Sequence, residues 1–227
     1  MGKINIAIDG PAGAGKSTVA KEISKRLGIL YLDTGAMYRA VAFKALEQGI
    51  DTRDAENLSN MIKNIDLNIT YENQIQEVYL DGERITNKIR TPEISVGASN
   101  VGVVPDVRIK MVELQRNIAK DNSLVIDGRD IGSYVIPDAE VKIFLTASLD
   151  ERAKRRFEEQ IAKGETNVVL EEVRKDIEYR DENDSKREFA PLCVAKDAVV
   201  VDSTKSSVSE IVEKIIEIIR WKDERYK

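Results

Sequence analysis

The chain has 227 residues, of which 42% are apolar and 33% charged, a balance typical of a soluble globular protein with one α/β domain and insertions. It contains no histidine, which excludes Ser-His-Asp triads and His-based zinc sites, so any chemistry depends on carboxylates, lysine, arginine, hydroxyls or bound metal. Its formal net charge of −5 argues against general nucleic-acid binding, because contact with phosphate backbones requires a basic surface.

The first predicted strand, Ile4–Ile8, leads into a loop with a phosphate-binding pattern. Residues 10–17 read GPAGAGKS, which fits G-x-x-x-x-G-K-[ST], and a helix is predicted over Lys16–Leu27. Glycines let backbone N–H groups converge on phosphate oxygens, Lys16 adds positive charge for the β- and γ-phosphates, and the Ser17 hydroxyl is placed for Mg²⁺. The helix N-terminus adds partial positive charge. The residues predicted to bind the nucleotide phosphates are Gly10, Pro11, Ala12, Gly13, Ala14, Gly15, Lys16, Ser17 and Thr18.

Four further apolar runs predict buried strands: Leu30–Leu32, Leu124–Ile126, Val141–Leu145 and Ala198–Val201. Near-continuous apolar content is what parallel strands covered on both faces require. Strands alternate with helical patterns along the chain. The predicted fold is therefore α/β, a P-loop NTPase-type five-stranded parallel sheet flanked by helices.

Two segments depart from this alternation. Residues 66–89 carry alternating strand patterns around turn residues such as Asp81 and Gly82, which predicts a small antiparallel insertion. The second segment, Arg152 to Ala190, is rich in charge and poor in strand signal. Such a segment is a candidate mobile helical lid over a phosphate site.

The compartment is indicated by the single cysteine, Cys193, which excludes an internal disulfide and favours a reducing environment. We expect Cys193 to be a small packing residue. No apolar run approaches the roughly 18 residues of a membrane span, and the first apolar run leads directly into the glycine loop, which argues against a signal peptide. We therefore expect a cytoplasmic protein that contacts neither membrane nor nucleic acid and is a monomer.

A phosphate-binding loop leaves three classes open: a small-molecule kinase, a GTPase switch, and a motor or transport ATPase. The D-x-x-G and N/T-K-x-D motifs that GTPases require do not occur in the chain. A motor ATPase would end a strand in two acids, whereas here Asp127 is followed by Gly128 and Arg129. A positive charge at that point suits the binding of a second anion, which favours the kinase.

A kinase that acts on a phosphorylated acceptor brings two polyanions together and therefore needs several arginines from separate segments. Arg39 follows the second predicted strand and Arg129 the third, at the sheet edge where ligands bind in such folds. Of the others, Arg152 is best explained as ordinary surface or a structural ion pair. The remaining charged candidates are Arg155, Arg156, Arg180, Asp181, Asp184 and Arg187.

Seven blocks of sequence carry a family resemblance: GPAGAGKST, LDTGAMYR, Ser99 to Arg108 ending PDVR, DGRDIG, IFLTAS-x-x-ERAKRRF, YRDENDSKRE-x-APL and VVVDST. In this order and spacing the chain resembles bacterial cytidylate kinases over nearly its whole length. DTGAMYR and DGRDIG are far more specific than the phosphate loop. The related adenylate and thymidylate kinases carry a DG-[FY]-PR block and an Asp-Arg dipeptide respectively, and this chain has neither.

The resemblance implies transfer of the γ-phosphoryl group of ATP to CMP or dCMP, with Mg²⁺. A UMP/CMP-type kinase stays an alternative, followed by a non-kinase ATPase. The resemblance also implies one kinase domain, 1–227, in which the nucleoside-monophosphate-binding region contains the insertion. Its parts are a core (1–35, 105–150 and 191–227), the monophosphate-binding region (36–104, insertion 66–89) and a lid (151–190).

Roles for individual residues also follow from the resemblance. The residues implied to be catalytic are Lys16, Arg129, Arg155 and Arg187. The residues implied to bind the acceptor are Thr34 and Tyr38 in the pocket, Arg39, Arg129 and Arg187 on phosphate oxygens, Ser99, Arg108 and Asp130 on the cytosine edge, and Arg180 and Asp184 on the sugar. Asp127 would support the loop and the waters of Mg²⁺, for which Ser17 is the protein ligand. Thr34 stands where serine is also expected in this family, and its hydroxyl preserves the role.

Overall fold

The computed structural model describes residues 3–222, and within that range two sheets are present. The larger is five-stranded, in the order β2-β6-β1-β7-β8, and every pairing in it is parallel. The five predicted buried strands are confirmed within one or two residues at their ends. The strands are β1 (Asn5–Asp9), β2 (Leu30–Asp33), β3 (Leu67–Glu72), β4 (Ile75–Leu80), β5 (Glu83–Arg84), β6 (Leu124–Gly128), β7 (Val141–Thr146) and β8 (Val199–Asp202).

Helices cover both faces of the large sheet. On β1, Ile6 and Ile8 pack in the apolar core with α1 and α8, and Ala7 between them packs in the core with α2 and α5. Because both faces of the strand are covered, its three central residues, Ile6 to Ile8, are all apolar. The helices are α1 (Lys16–Leu27), α2 (Thr34–Glu47), α3 (Ala55–Met61), α4 (Pro92–Val101), α5 (Pro105–Asp121), α6 (Leu149–Ala162), α7 (Leu170–Lys186) and α8 (Val208–Lys222).

The insertion forms the smaller sheet, β3-β4-β5, which is antiparallel as the sequence predicts. Both of its turns use residues with positive φ, Asn73 and Gln74 in the first and Asp81 and Gly82 in the second. Such turns match the twist of paired strands. The two-residue strand β5 was too short to be recognised from its pattern.

The segment predicted as a lid consists of helices α6 and α7, which pack on each other. Its base is fixed by a small apolar cluster in which Ala12 of the phosphate loop contacts Ala153, Val173 and Ile177. Part of the segment predicted as a mobile lid therefore packs directly on the loop, and its mobility stays a prediction.

Two further observations concern the surface of the molecule. Cys193 is exposed, so its interpretation as a packing residue is wrong; it lies in a segment without helix or strand between α7 and β8. No helix among residues 3–222 is long and apolar enough to cross a membrane.

Candidate active site

A cleft of about 740 Å³ opens at the carboxyl ends of the parallel strands, where ligands bind in such sheets. It runs from the glycine loop to a group of arginines and acids. The predicted residues that line it are Gly13, Ala14, Gly15, Lys16, Ser17, Thr18, Thr34, Tyr38, Arg39, Ser99, Arg108, Arg129, Asp130, Arg155, Arg180, Asp184 and Arg187. Three further predicted residues do not line the cleft: Gly10, Pro11 and Ala12.

The glycine loop is held in a conformation that only glycine adopts without strain. Gly10, Gly13 and Gly15 have φ values of 147°, 74° and 89°, and a Cβ on Gly10 would lie 1.9 Å from the carbonyl oxygen of Leu145. Gly15 is the N-cap of α1 and offers no side-chain oxygen to the first N–H groups of the helix. Those N–H groups are therefore available to an anion.

Lys16 lies in the cleft with its charge only partly compensated. Its Nζ donates to the carbonyl oxygen of Pro11 at 2.7 Å, so the side chain folds back across the loop. Burial, followed by the nearby Arg129, lowers the pKa of Lys16 to about 7. An ammonium group destabilised in this way gains most from a polyanion, because the anion restores the favourable field.

Ser17 is placed beside an acid that the sequence associated with metal support. Its hydroxyl donates to Asp127 Oδ2 at 2.7 Å, and the Tyr31 hydroxyl donates to Oδ1 at 2.9 Å. Burial and the neighbouring Asp33 raise the pKa of Asp127. The Ser17 and Asp127 oxygens are hard donors of the type that Mg²⁺ prefers.

At the other end of the cleft, Asp130 lies between two arginines. Arg108 donates through Nη2 to one carboxylate oxygen and Arg187 to the other at 3.0 Å, and all three side chains are buried. The Arg108 guanidinium lies 5.8 Å from the ring centres of both Tyr38 and Phe189. Phe189 was not predicted, since a lone aromatic in a charged segment carries no recognisable signal.

A second group of charges surrounds Asp184. Burial opposes its ionisation, but Arg129, Arg187 and Arg180 together hold its pKa below the ordinary value. Arg129 Nε donates to Asp184 at 2.8 Å. Within residues 3–222 the buried Nε of Arg180 has no hydrogen-bond partner, and burial with the nearby Arg129 lowers the Arg180 pKa to about 10. Three cations on one acid leave a positive excess suited to an anion.

Arg39 is held by a residue that sequence reasoning missed. Asp33 accepts from the backbone N–H of Ala36 as the N-cap of α2 and pairs with Arg39 at 2.8 Å and with Arg90 at 3.7 Å. The cleft is lined here by Gly35, Arg39 and Arg90. An acid that directly precedes a helix is a common N-cap, so its second role is visible only in three dimensions.

The remaining predicted residues have partners of their own. Arg155 bonds Glu151 at 2.8 Å and, through its Nη atoms, the hydroxyl and carbonyl oxygens of Ser203 at 3.0 and 2.6 Å. The Thr34 hydroxyl donates to the carbonyl oxygen of Asp127 at 2.7 Å, and Asn183 donates to Ser99 at 3.3 Å. Thr34 thus supports the strand that carries the acid.

Arg152 is buried and paired, whereas the sequence left ordinary surface open as one of two interpretations. It forms an ion pair with Asp181, as one of the two alternatives for it allowed. It is not ordinary surface, however, because only 7% of the residue is exposed and its guanidinium contacts the backbone of the glycine loop.

Comparison with known proteins decides between the nucleotide-binding classes. Residues 6–221 match the model of the family described as cytidylate kinase. The chain belongs to the cytidylate kinase family. Cytidylate kinases from Caldicellulosiruptor saccharolyticus and Clostridioides difficile are each 50% identical to it, covering 96% and 95% of this chain and 96% and 98% of their own. That of a Geobacillus species is 51% identical over 95% of this chain and 96% of its own.

This membership confirms the expectation of an ATP-dependent nucleoside monophosphate kinase, and the GTPase and motor ATPase alternatives are set aside. Solved structures agree at the level of fold. An uncharacterized protein from Eubacterium ventriosum is 16% identical with a TM-score of 0.54 over 96% of this chain and 99% of its own. Shikimate kinase from Bacteroides thetaiotaomicron is 12% identical with a TM-score of 0.50 over 96% and 98%.

Proposed function

We propose that the enzyme transfers the γ-phosphoryl group of ATP to CMP or dCMP, giving ADP and CDP or dCDP, with Mg²⁺. The observation that carries this proposal is one cleft lined by two groups of cations that meet. Lys16 and the glycine loop form the donor end, and Arg39, Arg129 and Arg180 belong to the acceptor end, with Arg129 and Arg180 close enough to Lys16 to lower its pKa. Two nucleotides placed end to end in this cleft would have their phosphates between these groups.

At the donor end, the loop N–H groups and Lys16 would bind the β- and γ-phosphates. Ser17 would coordinate Mg²⁺ directly and Asp127 would hold its waters. Bound Mg²⁺ would supply charge neutralisation on these phosphates. The described residues contain no cluster of three acids that could hold a cation by itself, which agrees with a metal bound mainly through phosphates. Arg155, fixed on Ser203, would stabilise charge on the transferred group.

At the acceptor end, Arg39, Arg129 and Arg187 would bind the acceptor phosphate and the transferring oxygens. Arg129 and Arg187 are now paired with acids, so they would exchange a carboxylate for phosphate as the ligand binds. Arg180 and Asp184 would contact the sugar. Because Asp184 is an acceptor and Arg180 a donor, the pair can satisfy a hydroxyl in both of its roles.

The base would be read by Arg108, Asp130 and Ser99, with Tyr38 and Thr34 on the pocket wall. Cytosine presents an exocyclic amine donor next to acceptor atoms, which matches an acid beside an arginine. Uracil presents an acceptor in place of the amine, so Asp130 would face a lone pair. Such an unmatched polar contact in a buried site costs about 1–3 kcal/mol.

The chemical step asks little of the protein beyond alignment and charge neutralisation. The acceptor phosphate oxygen is already anionic, so no general base is required. Water is the competing acceptor, and closure of the α6–α7 segment over both nucleotides would exclude it.

A coupled ADP-release assay with Mg-ATP and CMP, dCMP, UMP, AMP or dTMP as acceptor tests the proposal. We expect turnover with CMP and dCMP, a lower kcat/KM with UMP, and little with AMP or dTMP. Omission of Mg²⁺ should abolish turnover. Equal turnover without any monophosphate would instead indicate an ATPase, and a preference for AMP would contradict the assignment of the acceptor end.

A further inference from the structure

One residue of the glycine loop is bonded through both of its backbone polar groups by side chains from distant helices. The N–H of Ala12 donates to Asp181 Oδ1 of α7 at 2.9 Å, and its carbonyl oxygen accepts from Arg152 Nη1 of α6 at 2.9 Å. Arg152 and Asp181 also pair with each other at 2.5 Å. We refer to this pair on Ala12 as the loop clamp.

The loop clamp lies outside the cleft, since Arg152 and Asp181 do not line it. Ala12 is 1% exposed and does not line the cleft. Arg152 is fixed a second time, because its Nε donates to the carbonyl oxygen of Ala147 at 3.0 Å. A guanidinium held at two carbonyls and one carboxylate has little rotamer freedom left, so it can fix the peptide that it contacts.

The residues on either side of Ala12 carry out the donor chemistry. Pro11 supplies the carbonyl oxygen that holds Lys16 Nζ, and Gly13 begins the part of the loop that lines the cleft. Gly13 also lies close to the clamp, since a Cβ added to it would lie 3.1 Å from the Arg152 Cβ. A rotation of the Ala12 peptide would therefore displace both the lysine anchor and the phosphate-binding N–H groups.

We propose that Arg152 and Asp181 are positioning residues that hold the phosphate loop in its ATP-binding conformation. The proposal rests on the proposed function in one respect, the binding of ATP at this loop. Within residues 3–222 Arg152 bonds Ala12, Ala147 and Asp181 and no residue of the acceptor end. Its loss should therefore weaken binding of the donor and leave binding of the acceptor largely unaffected. Preorganised backbone donors lose much of their effect when they are displaced by even 1 Å.

The donor and the acceptor of the clamp cannot be exchanged. Ala12 needs an acceptor at its N–H and a donor at its carbonyl oxygen, so an ion pair with exchanged charges would keep its own attraction but would oppose both backbone groups. Asp181 also acts electrostatically on Arg129, so mutating it would change the acceptor end as well. Mutation of Arg152 is therefore the more specific test of the clamp.

The experiment compares Arg152→Met and Arg152→Lys with a matched control, Arg174→Met. Arg174 of α7 pairs with Asp150 of α6 at 3.2 Å, so it links the same two helices without contacting the loop. Calorimetry gives the Kd of a non-hydrolysable ATP analogue, and steady-state kinetics give the KM of ATP and of CMP and the kcat. Thermal melting gives stability for each variant.

We expect Arg152→Met to raise the analogue Kd and the ATP KM at least tenfold and to lower kcat, with the CMP KM changed less than twofold. Arg152→Lys should recover part of the loss, and Arg174→Met should match wild type. A double variant with exchanged charges, R152D with D181R, should not recover ATP binding. If Arg152→Met does not fold, the Arg152→Lys variant decides, with the same donor-specific pattern expected at smaller size.

Unchanged ATP binding in folded Arg152 variants would overturn the proposal, as would an equal loss for both substrates or recovery by the exchanged pair. The calorimetric Kd of the ATP analogue is independent of the acceptor. If the wild-type enzyme bound the ATP analogue but did not phosphorylate CMP, the proposed function would fail while the clamp could still be tested by calorimetry.

Discussion

The two ends of the cleft present different chemical groups to a ligand. The donor end is mainly backbone, fixed by glycine conformations and by the pair that holds Ala12. The acceptor end is made of side chains, and its arginines are already paired with acids, for example Arg129 with Asp184 and Arg108 with Asp130. A backbone cradle is preorganised for any polyphosphate, whereas paired side chains must exchange partners for their ligand. We therefore expect the substrate selectivity of the enzyme to depend on the acceptor end.

The largest effect is expected at Lys16, the cation that we propose for the donor end. Lys16→Ala would remove the charge proposed to follow the transferring phosphoryl group, and we expect kcat to fall by about 10²–10³-fold or more. Circular dichroism and thermal melting should show a folded protein, since removing a buried lysine relieves its desolvation. Near-normal turnover would overturn the donor-site assignment and the comparison built on it.

Asp9 links the glycine loop to the segment that carries Asp130, and its ionisation should affect the stability of both. It directly precedes the glycine loop, and its carboxylate accepts from the backbone N–H groups of Ile131 at 2.8 Å and Gly132 at 2.7 Å, beside Asp130. Burial raises the pKa of Asp9 to about 6 from 3.8, although those N–H groups and the nearby Lys16 oppose the rise. The folded protein therefore binds this proton more tightly than the unfolded chain does.

The sign of the pH effect follows from that difference. The contribution is present below the unfolded pKa of 3.8 and is lost as pH rises through about 6. We expect the unfolding free energy of wild type minus that of Asp9→Asn to fall by up to about 3 kcal/mol between pH 4 and pH 7. Urea denaturation of both proteins across this range measures it. A difference that stays constant with pH would remove Asp9 as the titrating group.

Asp130 tests the selectivity of the acceptor end. Asp130→Ala should reduce the preference for CMP over UMP by about 10–100-fold in kcat/KM, because the acceptor for the cytosine amine is lost. It should also lower stability, since Arg108 and Arg187 would each lose a buried partner. Asp130→Asn is the matched variant that keeps the volume and offers a donor to uracil. An unchanged CMP-to-UMP ratio in both variants would exclude this residue from base recognition.

The same contrast explains what could be predicted from the sequence. The donor loop is local, so its pattern and its flanking strand and helix identify it within one segment. Several bonds that acids make around the cleft are not local: Asp181 accepts from the N–H of Ala12 across 169 residues, and Asp9 accepts from that of Ile131 across 122. Asp9 is one acid among 40 acidic residues, and nothing in its neighbours along the chain marks it. Asp181 stood among the charged candidates, but nothing along the chain indicated its bond to Ala12. The fold and the cationic side chains were predictable, whereas their pairing required the structure.

The smallest effect is a proton taken up at the donor end. With a pKa of about 7, Lys16 in the ligand-free enzyme is half-protonated at pH 7, and a bound triphosphate should restore its charge. We expect Mg-ATP binding to take up about half a proton at pH 7 and to weaken as pH rises above 7, because the proton must then be drawn from a more basic solution. Calorimetry in buffers of different ionisation enthalpy measures the uptake.

Lys16→Arg separates this proton from those released by the nucleotide itself. A guanidinium stays charged in the cleft, so the variant should bind Mg-ATP without the additional uptake. The difference between the two proteins should thus be close to half a proton at pH 7 and should disappear near pH 5, where Lys16 is fully protonated before binding. Equal uptake by wild type and variant would mean that the lysine is charged in the free enzyme. Lys16 would then contribute its charge to Mg-ATP binding without taking up a proton.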